Sequence, residues 1–103
     1  MHARLTRFSV PSDSVDDFVR AFEGRSADAP ATAPAEAFLL VDRSAGSAVS
    51  LSLWDDEAAM ARGREAGAES RQRAVDAASA SISGTEEFEV AMHMREGQLA
   101  ATR

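Results

Sequence analysis

The chain contains no cysteine, lysine, tyrosine or asparagine. Without cysteine there is no thiol nucleophile, thiolate metal site or disulfide framework, and without lysine no Schiff base can form. Two histidines, His2 and His93, stand at opposite ends of the sequence, so a zinc site is not expected. No glycine-rich phosphate loop, nucleophile elbow or metal-spaced histidine pair occurs, and no cofactor is expected. All eleven basic residues are arginines, acidic residues outnumber them, and the formal net charge is −6. That sign argues against nucleic acid or an anionic membrane as partner, because phosphates are held by basic patches. No stretch approaches a membrane span, and the first residues carry His2 and Arg4 rather than a signal-like apolar run. A soluble cytoplasmic protein is the expectation.

What is present is a pattern of short regular elements. At 103 residues the chain is expected to form one domain, 1–103, burying roughly two-thirds of its unfolded surface. The stretch from Ala48 to Ala61 is the most telling. Val49, Leu51 and Leu53 alternate with Ser50, Ser52 and Trp54, which is the period of a strand with two different faces. Asp55, Asp56 and Glu57 follow at once, suited to the positive end of a helix and to capping its free N–H groups. Three consecutive acids at a helix start serve capping better than convergent metal ligation.

Before that corner, His2 to Val10 reads as a strand, with Leu5 on one side and Phe8 and Val10 on the other. Ser14 to Asp17 has the spacing of a capping box. Val15, Phe18, Val19 and Phe22 then form one apolar stripe of an amphipathic helix that stops at Gly24. Residues 25–35 hold Pro30 and Pro34 and are expected to be a loop, either a surface connection or a lid over a site. Ala37 to Arg43 reads as a second strand, apolar on both faces through Phe38, Leu39, Leu40 and Val41, and a short hairpin turn joins it to the third.

After the corner, a helix is expected from about Asp56 to about Ser81, with a break near Gly63 or Gly67. Met60, Gly63, Gly67, Arg71, Ala74, Val75, Ala78 and Ile82 share one side of it, and Glu69 and Arg73 are spaced as an exposed pair. Gly84 is the expected end of that segment. A fourth strand is expected over Glu87 to Met94, with Phe88, Val90, Met92 and Met94 on one face and Glu89, Ala91 and His93 on the other. The tail 95–103 carries no strong signal.

The order β-α-β-β-α-β is the ferredoxin-like α+β arrangement: a four-stranded antiparallel sheet with both helices on one face. Two helices leave the other face bare. If that face met water, each strand should be polar at every second position, and the second strand is not. Exposing large apolar side chains costs roughly 1.5–3 kcal/mol each, so a homodimer is expected, laid sheet to sheet around a barrel-like core.

The set of elements, with Trp54 closing the third strand as LWDDEAAM and the late EEFEVAMHM, resembles the antibiotic biosynthesis monooxygenase family over about residues 3–94. The resemblance implies a dimeric α/β barrel with a pocket between sheet and helices. It also implies oxidation of aromatic polyketide-type molecules by O₂ with no metal or flavin, an activity of some members. The haem-degrading branch does not match. It uses an asparagine on the first strand, a second tryptophan where Gly63 stands, and a histidine near Gln72.

Cofactor-free oxygenation needs an electron-rich aromatic substrate, a group to stabilise its anion and a dry pocket. The candidates are Trp54 as an aromatic wall, His93 as base or donor, and Arg4 or Arg7 as anion stabiliser. By alternation Arg4 and Arg7 face opposite ways. Ser50 and Ser52 add hydrogen bonds, and Phe8 and Met60 are candidate pocket lining. The rival reading is a non-catalytic small-ligand or regulatory domain on the same dimeric barrel. RNA recognition, which uses this topology with aromatics inside a basic surface, fits neither the charge nor AVSLSLW.

Overall fold

The computed structural model describes residues 1–23 and 33–100. Strand β1 (His2–Ser9) leads through a 3₁₀ turn into helix α1 (Val15–Glu23). Strands β2 (Glu36–Asp42) and β3 (Ser47–Trp54) form a hairpin, followed by the short helix α2 (Glu57–Arg62) and the longer α3 (Arg64–Ala78). Strand β4 (Ser81–Glu89) completes a four-stranded sheet of order β2-β3-β1-β4, every pair antiparallel. This α+β arrangement is compatible with a ferredoxin-like fold.

Register explains which side chains meet the helices. Arg4 pairs with Ser52 and Glu87, Thr6 with Ser50 and Thr85, and Phe8 with Ala48, so each set shares a face. Phe8, Val10 and Ala48 pack there against Val15 and Phe18 of α1 and Ala74 and Ala78 of α3. The stripe on α1 places Phe18 and Phe22 edge-on to Phe8, with ring centroids 4.9 and 5.9 Å from it. Such edge contacts add about 0.5–1.5 kcal/mol each beyond burial. Small residues on α3, Ala74 and Ala78, let it pack close against α1.

At the corner after β3, the Asp56 carboxylate accepts the Ala59 N–H at 2.7 Å and caps α2, as the acidic run predicts. No side-chain cap bond opens the first turn at Ser12–Ser14. The expected second helix is broken at Gly63, one of the two positions its sequence suggests, into α2 and α3. Gly63 ends α2 and begins α3, and it is buried. Glu69 and Arg73 form no ion pair; on that helix Gln72 donates to Asp76 instead.

The fourth strand begins and ends earlier than its pattern suggests. Ser79 adopts a left-handed conformation (φ 52°, ψ 38°) that stops α3, and Ala80 donates back to the Val75 carbonyl. Gly84 is therefore not the end of the helical segment but a residue inside β4, opposite Arg7. The strand stops at Glu89, so Val90, Met92 and Met94 do not continue the face that Phe88 begins. The tail is also structured: β5 (His93–Arg95) and β6 (Gln98–Ala100) form a separate hairpin. Glu96 (φ 53°) and Gly97 (φ 78°) both have positive φ at its tip, as a tight two-residue turn requires. The loop expected at 25–35 lies, up to residue 32, outside the described residues, as do Gly24 and residues 101–103.

The face of the sheet away from the helices carries Phe38 and Leu40 from β2, Val49 and Leu51 from β3, Leu5 from β1 and Phe88 from β4. Phe38, Leu40 and Phe88 are 46, 53 and 48% exposed. Apolar residues on both sides of β2 are thus real, and the open side is not covered by a helix. No helix among the described residues is long and apolar enough to cross a membrane.

Candidate functional site

Arg4 occupies a helix-facing position in the middle of a sheet, where burial of a charge is costly unless it is paired. It is 2% exposed. Its Nε donates to Glu87 Oε2 at 3.1 Å, its Nη2 donates to the Met60 carbonyl at 3.0 Å, and its guanidinium carbon lies 5.7 Å from the Trp54 ring centroid. Trp54 is itself buried and donates from Nε1 to Ser52 Oγ at 2.9 Å, which ties the indole to its own strand. Glu87 sits one strand over and also accepts from Arg64 at 3.1 Å. Hydrogen bonding by Arg4 holds the Glu87 carboxyl below its ordinary value; burial opposes this and Arg64 adds to it.

Beside this cluster a pocket of about 330 Å³ opens between the sheet and the helices, the lower end of the range for small-ligand sites. Trp54, Leu39 and Phe22 supply large apolar walls, and Ala66 and the bare Gly63 and Gly67 let α3 form a shallow floor. Ser50, Ser52 and Ser70 supply hydroxyls, and Arg4 and Arg71 supply the positive charge. The exposed Glu23, at the end of α1, also lines it. Burial lowers the Arg71 pKa from the usual guanidinium value, the nearby Arg4 lowers it further, and Glu87 partly offsets both.

Four of the residues singled out from the sequence meet here: Trp54, Arg4, Ser50 and Ser52. The other four do not line the pocket. Arg7 faces the opposite side of the sheet and pairs with Glu86 in solvent. Phe8 is consumed by the core with Phe18 and Phe22. The Met60 side chain is buried, and what it gives Arg4 is its backbone carbonyl. His93 lies on β5 with Nε2 3.3 Å from Glu36 Oε2, and Arg95 pairs with that same carboxylate. Glu36 is in register with Leu53 on the open face, so the imidazole and Trp54 do not converge on one site.

Arg71 and Glu87 are the site residues that the sequence reading missed. For Arg71 a signal exists: it is the one charged member of the otherwise small, apolar side of α3. Glu87 carries no such mark, because its role depends on strand register with Arg4. Among the described residues no group of three or more histidine or acidic side chains is placed to hold a metal ion. The chain matches no protein-family model and no curated protein.

Proposed function

We propose that the chain binds a small aromatic molecule in the pocket beside Trp54, in the manner of the antibiotic biosynthesis monooxygenase family that its sequence resembles. The observation that carries this reading is the meeting of one aromatic wall, an apolar floor and two guanidiniums around about 330 Å³. A pocket of that kind binds a flat apolar body and fixes its orientation by a few polar contacts. Because Trp54 is the only tryptophan, its emission reports occupancy directly. Titration with 2-naphthol should quench it saturably. Ala66→Phe fills the floor and should abolish the quenching while leaving the far-ultraviolet dichroism unchanged. Equal quenching by the wild type and Ala66→Phe would remove the pocket as the binding site.

The aromatic wall with cations beside it also favours cofactor-independent oxygenation as a second reading. An anthrone-type carbanion, stabilised by the guanidiniums, passes an electron to O₂ and recombines with it to a hydroperoxide. Loss of water leaves a carbonyl, so one CH₂ and one O₂ give one C=O and one H₂O. Glu87 is a weak base, held ionised by Arg4 and Arg64, so the proton of an acidic substrate passes to solvent water at the open side of the pocket. Oxygen uptake with anthrone should occur in the wild type, persist in His93→Ala and fall in Trp54→Phe and Ala66→Phe. Absence of uptake leaves the binding role without catalysis.

The proposal includes a second copy of the chain on the open face. Phe38, Leu40 and Phe88 lie there about half exposed, and the oppositely charged Arg7 and Glu86 border them. A patch with both signs at its edge is self-complementary under a two-fold axis. Sedimentation at micromolar concentration should give twice the chain mass, and Leu40→Asp should give the single mass.

A further inference from the structure

We infer that the ligand of this pocket is an anion, an aromatic carboxylate or an ionised phenol or enol, and that Arg71 is the residue that binds its charge. The inference rests on the pocket being a binding site and adds the chemical class of what enters it.

The two guanidiniums at the pocket have different standing. Arg4 is satisfied by Glu87, by the Met60 carbonyl and by the face of Trp54. Arg71 is half-buried yet makes no hydrogen bond or ion pair with any described residue. Both aim at one place. A Cβ added to Gly67 would lie 3.1 Å from Arg71 Nη1 and 3.4 Å from Arg4 Nη1, so the bare backbone lets the two cations close on one point of α3.

Among the described residues, charge in this region does not balance. Arg4, Arg64 and Arg71 surround a single carboxylate, Glu87, and Glu87 is already engaged by the first two. The other acid on the lining, Glu23, is exposed at the end of α1. A cation drawn partly out of water beside a second cation is unfavourable, as the lowered Arg71 pKa reflects. Alanine or methionine would cover the same apolar surface without that cost. An anion seated over Gly67 satisfies Arg71 and leaves the apolar remainder of the ligand against Trp54, Leu39 and Phe22. Arginine suits this role because its planar fork binds a carboxylate through two parallel bonds.

The test uses 2-naphthoate and its neutral amide, 2-naphthamide, matched in size and shape, each titrated against Trp54 emission at pH 7. Naphthoate should bind about tenfold to a hundredfold more tightly than the amide, the usual worth of a charge-assisted contact in a partly buried site. The preference should shrink toward unity in Arg71→Met, return largely in Arg71→Lys, and weaken as salt rises. Equal affinity of the two probes for the wild type, or an anion preference that survives in Arg71→Met, would overturn the inference while leaving the pocket in place. Failure of both probes to bind would overturn the pocket reading and this inference together. The comparison of probes on the wild type needs no variant to fold.

Discussion

Removing the carboxylate of Glu87 should expose how the buried Arg4 is tolerated. In Glu87→Met, Arg4 keeps its bond to the Met60 carbonyl and its place over Trp54 but loses its counter-charge. Orphaning one member of a fully buried pair costs about 3–5 kcal/mol. Here Arg4 is 2% exposed and Glu87 35%, so water reaches the pair from one side and the penalty is discounted. An exposed pair would be worth about 0–1 kcal/mol. The expected loss lies between these limits, about 1.5–3 kcal/mol, equivalent to a fall in Tm on the order of 10 °C for a domain of this size.

Two further properties identify the cause. The Glu87 pKa is lowered on folding, so its contribution is fully present above the ordinary carboxyl value and is lost as pH falls through the lower folded value. The gap between wild type and Glu87→Met, read by thermal melts, should therefore be constant from pH 5 to 7 and close below about pH 4. Second, Arg4→Met in the same chain removes the orphaned charge and should recover most of the loss. A gap unchanged at acid pH, or a double variant less stable than Glu87→Met alone, would refute the account.

Other substitutions probe the frame that holds the pocket. Phe18→Ala removes a fully buried ring that meets Phe8 and Phe22 edge-on, and urea unfolding should show a loss of about 3–5 kcal/mol. Gly46→Ala forces φ +66° on a residue with a side chain and sets a Cβ 2.9 Å from the Val10 carbonyl oxygen. It should cost more than about 1 kcal/mol, whereas Gly84→Ala, where a Cβ meets nothing within 4 Å, should change stability little. Asp56→Ala removes the cap on α2 and should cost about 1 kcal/mol by the same measurement, with amide exchange accelerated over Glu57–Arg62.

Local periodicity and local chemistry carried much of this protein. Alternation in His2–Ser9 and Ser47–Trp54, the stripe through Val15, Phe18 and Phe22, and the cap at Asp56 each depend on neighbours a few residues away, and each is legible in the sequence. The same holds for apolar residues on both sides of β2, and for Arg4 and Arg7 facing opposite ways. What failed was punctuation without its usual residue. Ser79 ends α3 in a left-handed conformation with no glycine to mark it, so the helix read too long and β4 too late. The Glu96–Gly97 turn was legible in principle but sat in a stretch too short for alternation to show.

The site divided along the same line. That Trp54, Ser50 and Ser52 share a face follows from alternation within one strand. That Arg4 finds Glu87, that Arg71 arrives beside it with no hydrogen-bond or ion-pair partner among the described residues, and that His93 is carried to Glu36 on the far face depend on register and on how the helices sit over the sheet. These are contacts between residues far apart in the chain, whose energies come from burial and charge that exist only after folding. Sequence spacing fixes which way a side chain points from its own element. Only the assembled tertiary structure decides what it points at.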